Sequence, residues 1–232
     1  MRDNRGSACG LQRARLFAGL TADELHALAV PLDARHYLRD EFIFHMGEEA
    51  RHVYLLESGA VKISRISPGG DEYMLDLHKP GDVFGWLHVD RRERRTAAAR
   101  VLSAAIVCGI ERQAFVRSIQ GIPTLTLNVI DHLIDRHRRL LTRLQALAHR
   151  EPGLRVLAIL VDLAEDAGHS YTFPGAPTQG DLARMAGLNR STVNLLINEY
   201  RRGGILGGRR GVLVLHRDPA RALLRKAGLA SA

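Results

Sequence analysis

The sequence predicts an α+β protein in three parts: an antiparallel β-sandwich or barrel, one long helix, and a C-terminal winged helix-turn-helix. Three observations carry that prediction. Between about residues 35 and 118, short apolar runs alternate with glycine and proline turns. After Pro123 no glycine or proline interrupts the chain until about Arg150. Near the end, two helical patterns separated by Gly187 precede a glycine-rich hairpin.

In chain order, residues 11–30 read as one or two short helices, because Thr21 and Glu24 have capping-box spacing ahead of Leu25, Leu28 and Ala29. Strands are expected at 42–44, 53–56, 61–66, 73–77 and 101–107, with turns at Gly47, Gly59, Pro68-Gly69-Gly70, Pro80-Gly81 and Gly85. In the long helix, Ile130, Leu133, His137, Leu140, Leu144 and Leu147 recur at alternating steps of three and four, a heptad seam. Its length favours pairing with a second copy over packing on its own domain, and His137 is a polar group within the seam. Pro152-Gly153 is expected to end this helix and mark a domain boundary. A further helix follows at 154–164. The expected domains are 1–120 (the β-rich part with N-terminal helices), 121–151 (the long helix) and 152–232 (the C-terminal module).

The last part is the most specific. Thr178 and Asp181 are spaced as a capping box, Leu182, Ala183, Met185 and Ala186 supply a buried face, and Gly187 permits a tight turn. Asn189 can cap a second helix, whose Val193, Leu196, Ile197 and Tyr200 form one apolar stripe. Arg190, Ser191 and Asn194 then face away from it. Guanidinium suits guanine O6/N7 and a carboxamide suits adenine N6/N7. Thr192 and the arginines at 201, 202, 209 and 210 read as phosphate contacts. Thr178, Gln179 and Asn189 complete the expected DNA-contacting set. Glycines 203, 204, 207, 208 and 211 around Arg209-Arg210, followed by 212–215, read as a hairpin with a basic tip.

Charge is consistent with this. The chain carries +8, and from Ala167 onward ten Lys/Arg face Asp181, Glu199 and Asp218, so about +7 lies in that third. Such a patch is the footprint of a polyanion-binding module, a solvated basic surface being the alternative. A winged domain used only for protein interaction is a second alternative. The polar start, MRDNRGSACG, and the lack of a run of roughly 20 apolar residues point away from a signal peptide or membrane span. Cys9 and Cys108 are too few for a disulfide framework or a four-thiolate iron–sulfur cluster, so a reduced, cytoplasmic protein is expected.

These parts together resemble the cyclic-AMP receptor protein (Crp/Fnr) superfamily of bacterial transcription regulators. The resemblance runs from "LFAGLTADEL" to "GGILGGRRGVLVL" through Gly59, "PGDVFG" (80–85), "RTAAARV" (95–101), Arg155 and "LARMAGLNRSTV" (182–193). It implies a β-roll of the cyclic-nucleotide-binding type, a double-stranded β-helix, that binds an effector. It also implies a homodimer whose paired recognition helices enter successive major grooves of a near-palindromic operator, with RNA polymerase as a further partner. Arg95 and Thr96 match the pair that holds the cyclic phosphate, and Gly85 the glycine near the ribose. Trp86 takes the place of the glutamate that bonds the ribose hydroxyl, and Leu140 and Leu141 replace a polar pair facing the purine. Val83, Leu87, Ala97 and Arg136 complete the expected pocket. With those replacements, cyclic AMP is not the expected effector, because a site that loses its hydroxyl partner loses discrimination. Asp90 and Glu93 are the candidate substitutes for that glutamate. The family's Arg-Glu-x-x-x-Arg reading face becomes Arg190-Ser191 with Leu195 last.

The effector itself is left open. A haem-dependent gas sensor is one alternative, with His88 one position from where an axial ligand would fall and His78, His132 and His137 nearby. A pocket filled by side chains such as Trp86 and Leu140 is another. A cupin-like metalloenzyme using His45, His52, Glu57 and His78 is the alternative of a different class. The chain lacks the His-x-His pair such metal sites usually present on one strand, and no Ser-His-Asp ordering, paired-carboxylate motif or P-loop is found, so it is not read as an enzyme.

Overall fold

The computed structural model describes residues 10–11, 14–28, 33–85, 94–166, 170–173, 175–208 and 213–229. They form two compact units, Met1–Arg65 with Leu77–Ile134, and Ile66–Asp76 with Asp135–Ala232. Among the described residues, no helix is long and apolar enough to cross a membrane.

The first unit opens with a 3-10 turn at Arg15–Phe17 and α1 (Ala22–Leu28). The expected capping box is present: Thr21 Oγ1 accepts from the Glu24 amide at 3.2 Å, and Glu24 Oε2 accepts from the Thr21 amide at 2.7 Å. The strands are β1 (Asp33–Tyr37), β2 (Phe42–Phe44), β3 (His52–Ile66), β4 (Glu72–His78), β5 (Val83–Phe84) and β6 (Ala98–Glu111). The central β6 pairs antiparallel with β1, β2 and β3, and β5 pairs with β3. Nothing in the sequence announced β1. Its residues are mostly polar and exposed, and only the partner strand holds them extended.

Gly59 requires a correction. The two strands expected at 53–56 and 61–66 are one strand, β3, and Gly59 lies inside it where the register with β6 shifts. Its φ is +89°, and a Cβ there would stand 2.5 Å from the Ala104 carbonyl oxygen and 2.7 Å from Ala105. Glycine is needed for a close approach of two backbones, not for a chain reversal. The alternation of β3 explains its two-sided burial. Val53 and Leu55 join Leu16, Phe17, Ile110, Phe115 and Leu125 in one cluster. Leu56 and Val61 point the other way, to Phe44, Phe84, Val101 and Val107. Helices α2 (Arg112–Gly121) and α3 (Pro123–Ala148) follow. Asn128 Nδ2 fastens α3 to the N-terminal segment, donating to the Leu16 and Ala18 carbonyls at 2.9 and 2.8 Å. Cys108 is fully buried, and Cys9 lies outside the described residues.

In the second unit, α4 (Pro152–Leu163) buries five consecutive residues, 156–160, as a helix covered on most sides must. Pro152 is the first residue of this helix, where a missing amide costs nothing, and α3 has already ended at Ala148. Then come β7 (Glu165–Asp166), β8 (Ser170–Thr172), α5 (Gln179–Ala186), α6 (Arg190–Arg202), β9 (Leu206–Gly207), β10 (Val214–His216) and α7 (Arg217–Lys226). The strands form an antiparallel sheet in the order β7-β8-β10-β9, with Leu215 opposite both Tyr171 and Leu206. The expected hairpin is the β9–β10 pair, and its tip lies outside the described residues. Two- and three-residue strands carry too little pattern to be read in advance, so β7 and β8 were not expected. Neither was α7, which buries Ala220 and Leu224.

Candidate nucleic-acid interface and effector pocket

The helix-turn-helix is set by local chemistry. Thr178 Oγ1 accepts from the Asp181 amide and the Asp181 carboxylate accepts from the Thr178 amide, so α5 starts with both orphan donors satisfied. Gly187 adopts φ +63° at the C-terminus of α5, the left-handed conformation that turns the chain into α6. Asn189 Oδ1 caps α6 by accepting from the Thr192 amide at 2.7 Å and from the Ser191 hydroxyl at the same distance.

On α6, Val193, Ile197 and Tyr200 are buried and Leu196 half-buried, as the stripe requires. Tyr200 reaches α4: a Cβ on Gly153 would lie 2.8 Å from its hydroxyl oxygen. Burial pushes the Tyr200 phenol well above its ordinary range, so it stays protonated. Arg155 of α4 donates to the Ala186 carbonyl at 3.3 Å, at the C-terminal end of α5, where a cation is favoured. With the inner face so held, Arg190, Ser191 and Asn194 are exposed, as are Thr178, Asn189, Arg201 and Arg202, while Gln179 and Thr192 are half-buried. Arg209 and Arg210 lie outside the described residues. One link was not foreseen. Asn194 Oδ1 accepts from Gln179 Nε2 at 3.1 Å, so the two helices share a side-chain bridge on their exposed side. Residues fifteen apart on different helices give no sequence signal for such a bridge.

In the first unit, Arg95 is 3% exposed. Its Nη1 donates to the Gly85 carbonyl and its Nη2 to the His52 carbonyl, both at 2.6 Å, while Nε has no partner. The guanidinium carbon stands 4.1 Å above the Phe44 ring and 5.5 Å from that of Tyr54. Burial pushes Arg95 below the ordinary arginine value, with Tyr54 and Glu48 opposing. Carbonyl dipoles, ring faces and the Glu48 carboxylate thus favour the charged form of the buried guanidinium. Gly85 has φ +80°, and a Cβ on it would meet Arg95 Nη1 and Tyr54 at 3.0 Å. Thr96 beside it is exposed, Ala97 half-buried, and Val83 part of the core.

Trp86, Leu87, His88, Asp90 and Glu93 lie outside the described residues. Arg136, Leu140 and Leu141 belong to the second unit, where both leucines are exposed. The seam residues Ile130, Leu133, His137, Leu140, Leu144 and Leu147 are all exposed in the single chain. Of the histidines weighed for a metal, His45 stacks on Phe42 at 4.3 Å and His78 on Phe84 at 5.1 Å. Burial lowers His52 below its ordinary value, with Arg35 and Arg95 acting in the same direction. Among the described residues, no three His, Cys, Asp or Glu side chains cluster in a way that would hold a metal ion.

Residues 34–121 match the model of the cyclic nucleotide-binding domain, and residues 154–221 that of the Crp-like helix-turn-helix domain. The chain is 29% identical over 198 residues to the CRP-like cAMP-activated global transcriptional regulator of Mycobacterium tuberculosis, covering 84% of this chain and 88% of that one. It is 27% identical over 192 residues to the cyclic AMP receptor protein of Thermus thermophilus, covering 82% and 87%. Among solved structures, FixK2 of Bradyrhizobium japonicum shares the fold with a TM-score of 0.66 at 23% identity, covering 88% of this chain and 99% of that one. A CRP-family transcriptional regulator of Thermus thermophilus gives a TM-score of 0.63 at 25% identity, covering 85% and 100%.

Proposed function

The chain belongs to the Crp/Fnr family of transcription regulators, which are not enzymes, and from that premise we propose that it is a homodimeric, sequence-specific DNA-binding regulator whose β-roll does not take cyclic AMP. Crp-like helix-turn-helix regulators bind DNA. The observation that carries the reading here is the division of α6: Val193, Ile197 and Tyr200 are buried while Arg190, Ser191 and Asn194 are exposed. A helix held this way offers a hydrogen-bonding, cationic edge of the kind that reads a major groove.

Two further features support the finer reading. The apolar heptad row of α3 is exposed in one chain, and a second copy laid along it would bury that row. Two α6 helices related by a two-fold axis would then read half-sites of a near-palindromic operator, about one helical turn apart. Residues 1–120 act as sensor, 121–151 as dimerisation helix and 152–232 as reader, with RNA polymerase as the downstream partner. Two relatives are named for cyclic AMP. This chain keeps the cation, Arg95, but has Trp86 where the resemblance places a ribose-binding glutamate, and its Arg95 is held by the Gly85 and His52 carbonyls.

Selection of binding sites from random duplexes tests the proposal. The expected result is an inverted repeat with half-site centres about 10 base pairs apart, bound by two subunits. Binding without sequence preference, or by a monomer to one half-site, would refute it.

A further inference from the structure

Leu195 stands out on the exposed edge of α6. It is 67% exposed, the largest value for any leucine of this helix, and no other exposed side chain of the helix is apolar. It lies one turn beyond Ser191 and beside Asn194, with Asn198 on its other side. It is also the sixth residue of the helix, within the N-terminal half that such helices place against base edges. A leucine there cannot accept or donate a hydrogen bond. Set against guanine, adenine or cytosine, it would strip water from their polar edges and return nothing. The major groove of unmodified DNA offers one apolar group, the C5 methyl of thymine.

We propose that Leu195 is a specificity-determining residue that selects a thymine in each half-site by packing on its C5 methyl group. The inference rests on the reading of α6 as the groove helix. Arg190 and Asn194 then supply the hydrogen-bonded positions and Leu195 an apolar one. Asn194 contributes mainly as a donor, because its Oδ1 already accepts from Gln179 and, at 3.5 Å, from Asn198.

The test uses the full-length protein and the duplex obtained by site selection. Each thymine of the half-site is replaced in turn by deoxyuridine, which removes only the methyl. For the unaltered protein, one replacement per half-site should weaken binding about fourfold, the factor for one methyl group withdrawn from contact. In Leu195→Ala, an exposed position that leaves the core untouched, the same replacement should have no effect. Adding the methyl back as 5-methylcytosine at that position, in an otherwise cytosine-bearing duplex, should recover part of the affinity for the unaltered protein only. Equal deoxyuridine losses in both proteins, or no loss in either, would overturn the role of Leu195 while leaving α6 as a reader. If the unaltered protein selects no sequence at all, the groove-helix reading fails first and this inference with it.

Discussion

At the scale of single residues, side chains of one type have opposite fates according to where the fold puts them. Arg190 is exposed at the start of α6, whereas Arg95 is buried against two carbonyls and two rings. For Arg190→Ala we expect specific affinity to fall by about 1–3 kcal/mol and one base position to relax, measured by repeating site selection with the variant. A uniform loss across all sequences would make Arg190 a phosphate contact instead. Asp82 governs an acid-sensitive step. Its burial acts to raise its pKa, but His78, 3.5 Å away, and the Lys79 amide at 3.0 Å outweigh this, so the carboxyl titrates below its ordinary value. A depressed carboxyl contributes stability in full above the ordinary carboxylate range and loses it as pH falls through and below that range. Thermal unfolding followed from pH 6 downward should therefore show a steeper acid loss for the natural protein than for Asp82→Asn. Identical slopes would remove Asp82 from the account.

At the scale of elements, α3 shows most clearly what a lone chain leaves unfinished. Its heptad row is exposed, and His137 sits among five apolar neighbours in that row. Pairing two copies would place a polar group in an otherwise apolar seam, a cost the sequence accepts. We expect His137→Leu to strengthen dimerisation by about 1 kcal/mol or more per dimer, read by sedimentation across a dilution series. A dissociation constant unchanged by the substitution would show that residue 137 is not in the contact. The start of each element was legible where it rests on short-range chemistry. Thr21 with Glu24, Thr178 with Asp181, and Asn189 with Thr192 all form the predicted caps. What was misread was long-range. Gly59 looks like a turn residue in any local window, yet the approach of the Ala104 carbonyl is what demands it. Likewise the α4 residue Asp162 accepts from Arg143, which also donates to Asp76 at 3.2 Å, a triad assembled from segments far apart in sequence. Burial raises Asp162 above the ordinary carboxylate value although Arg143 pulls the other way.

At the scale of the whole molecule, charge and effector are the questions. With about +7 of the +8 net charge in residues 167–232, much of the DNA affinity is expected to be electrostatic and to fall steeply with salt. The β-roll keeps a buried cation, Arg95, held by the Gly85 and His52 carbonyls, while the resemblance finds a tryptophan in place of the ribose partner. Calorimetry with cyclic AMP should show no binding in the micromolar range, and a micromolar heat signal would overturn that expectation.

The sequence by itself determined the class of the protein and which face of α6 is turned outward. Helix caps, turn glycines and the 3.6-residue stripe of α6 depend on neighbours within a turn or two, and those are written in the chain. It also carried enough motif to bring out the family and to single out Gly85, Arg95 and Thr96 as candidates for an effector pocket. Only the tertiary structure decided how those residues are used. It set Arg95 on the His52 carbonyl and the Phe44 ring, joined Gln179 to Asn194, and made β1 a strand by giving it β6 to pair with. The physical reason is the same in each case. A hydrogen bond or a ring contact between distant segments has no local energy to leave a mark in the sequence, and it exists only once the chain has closed around it.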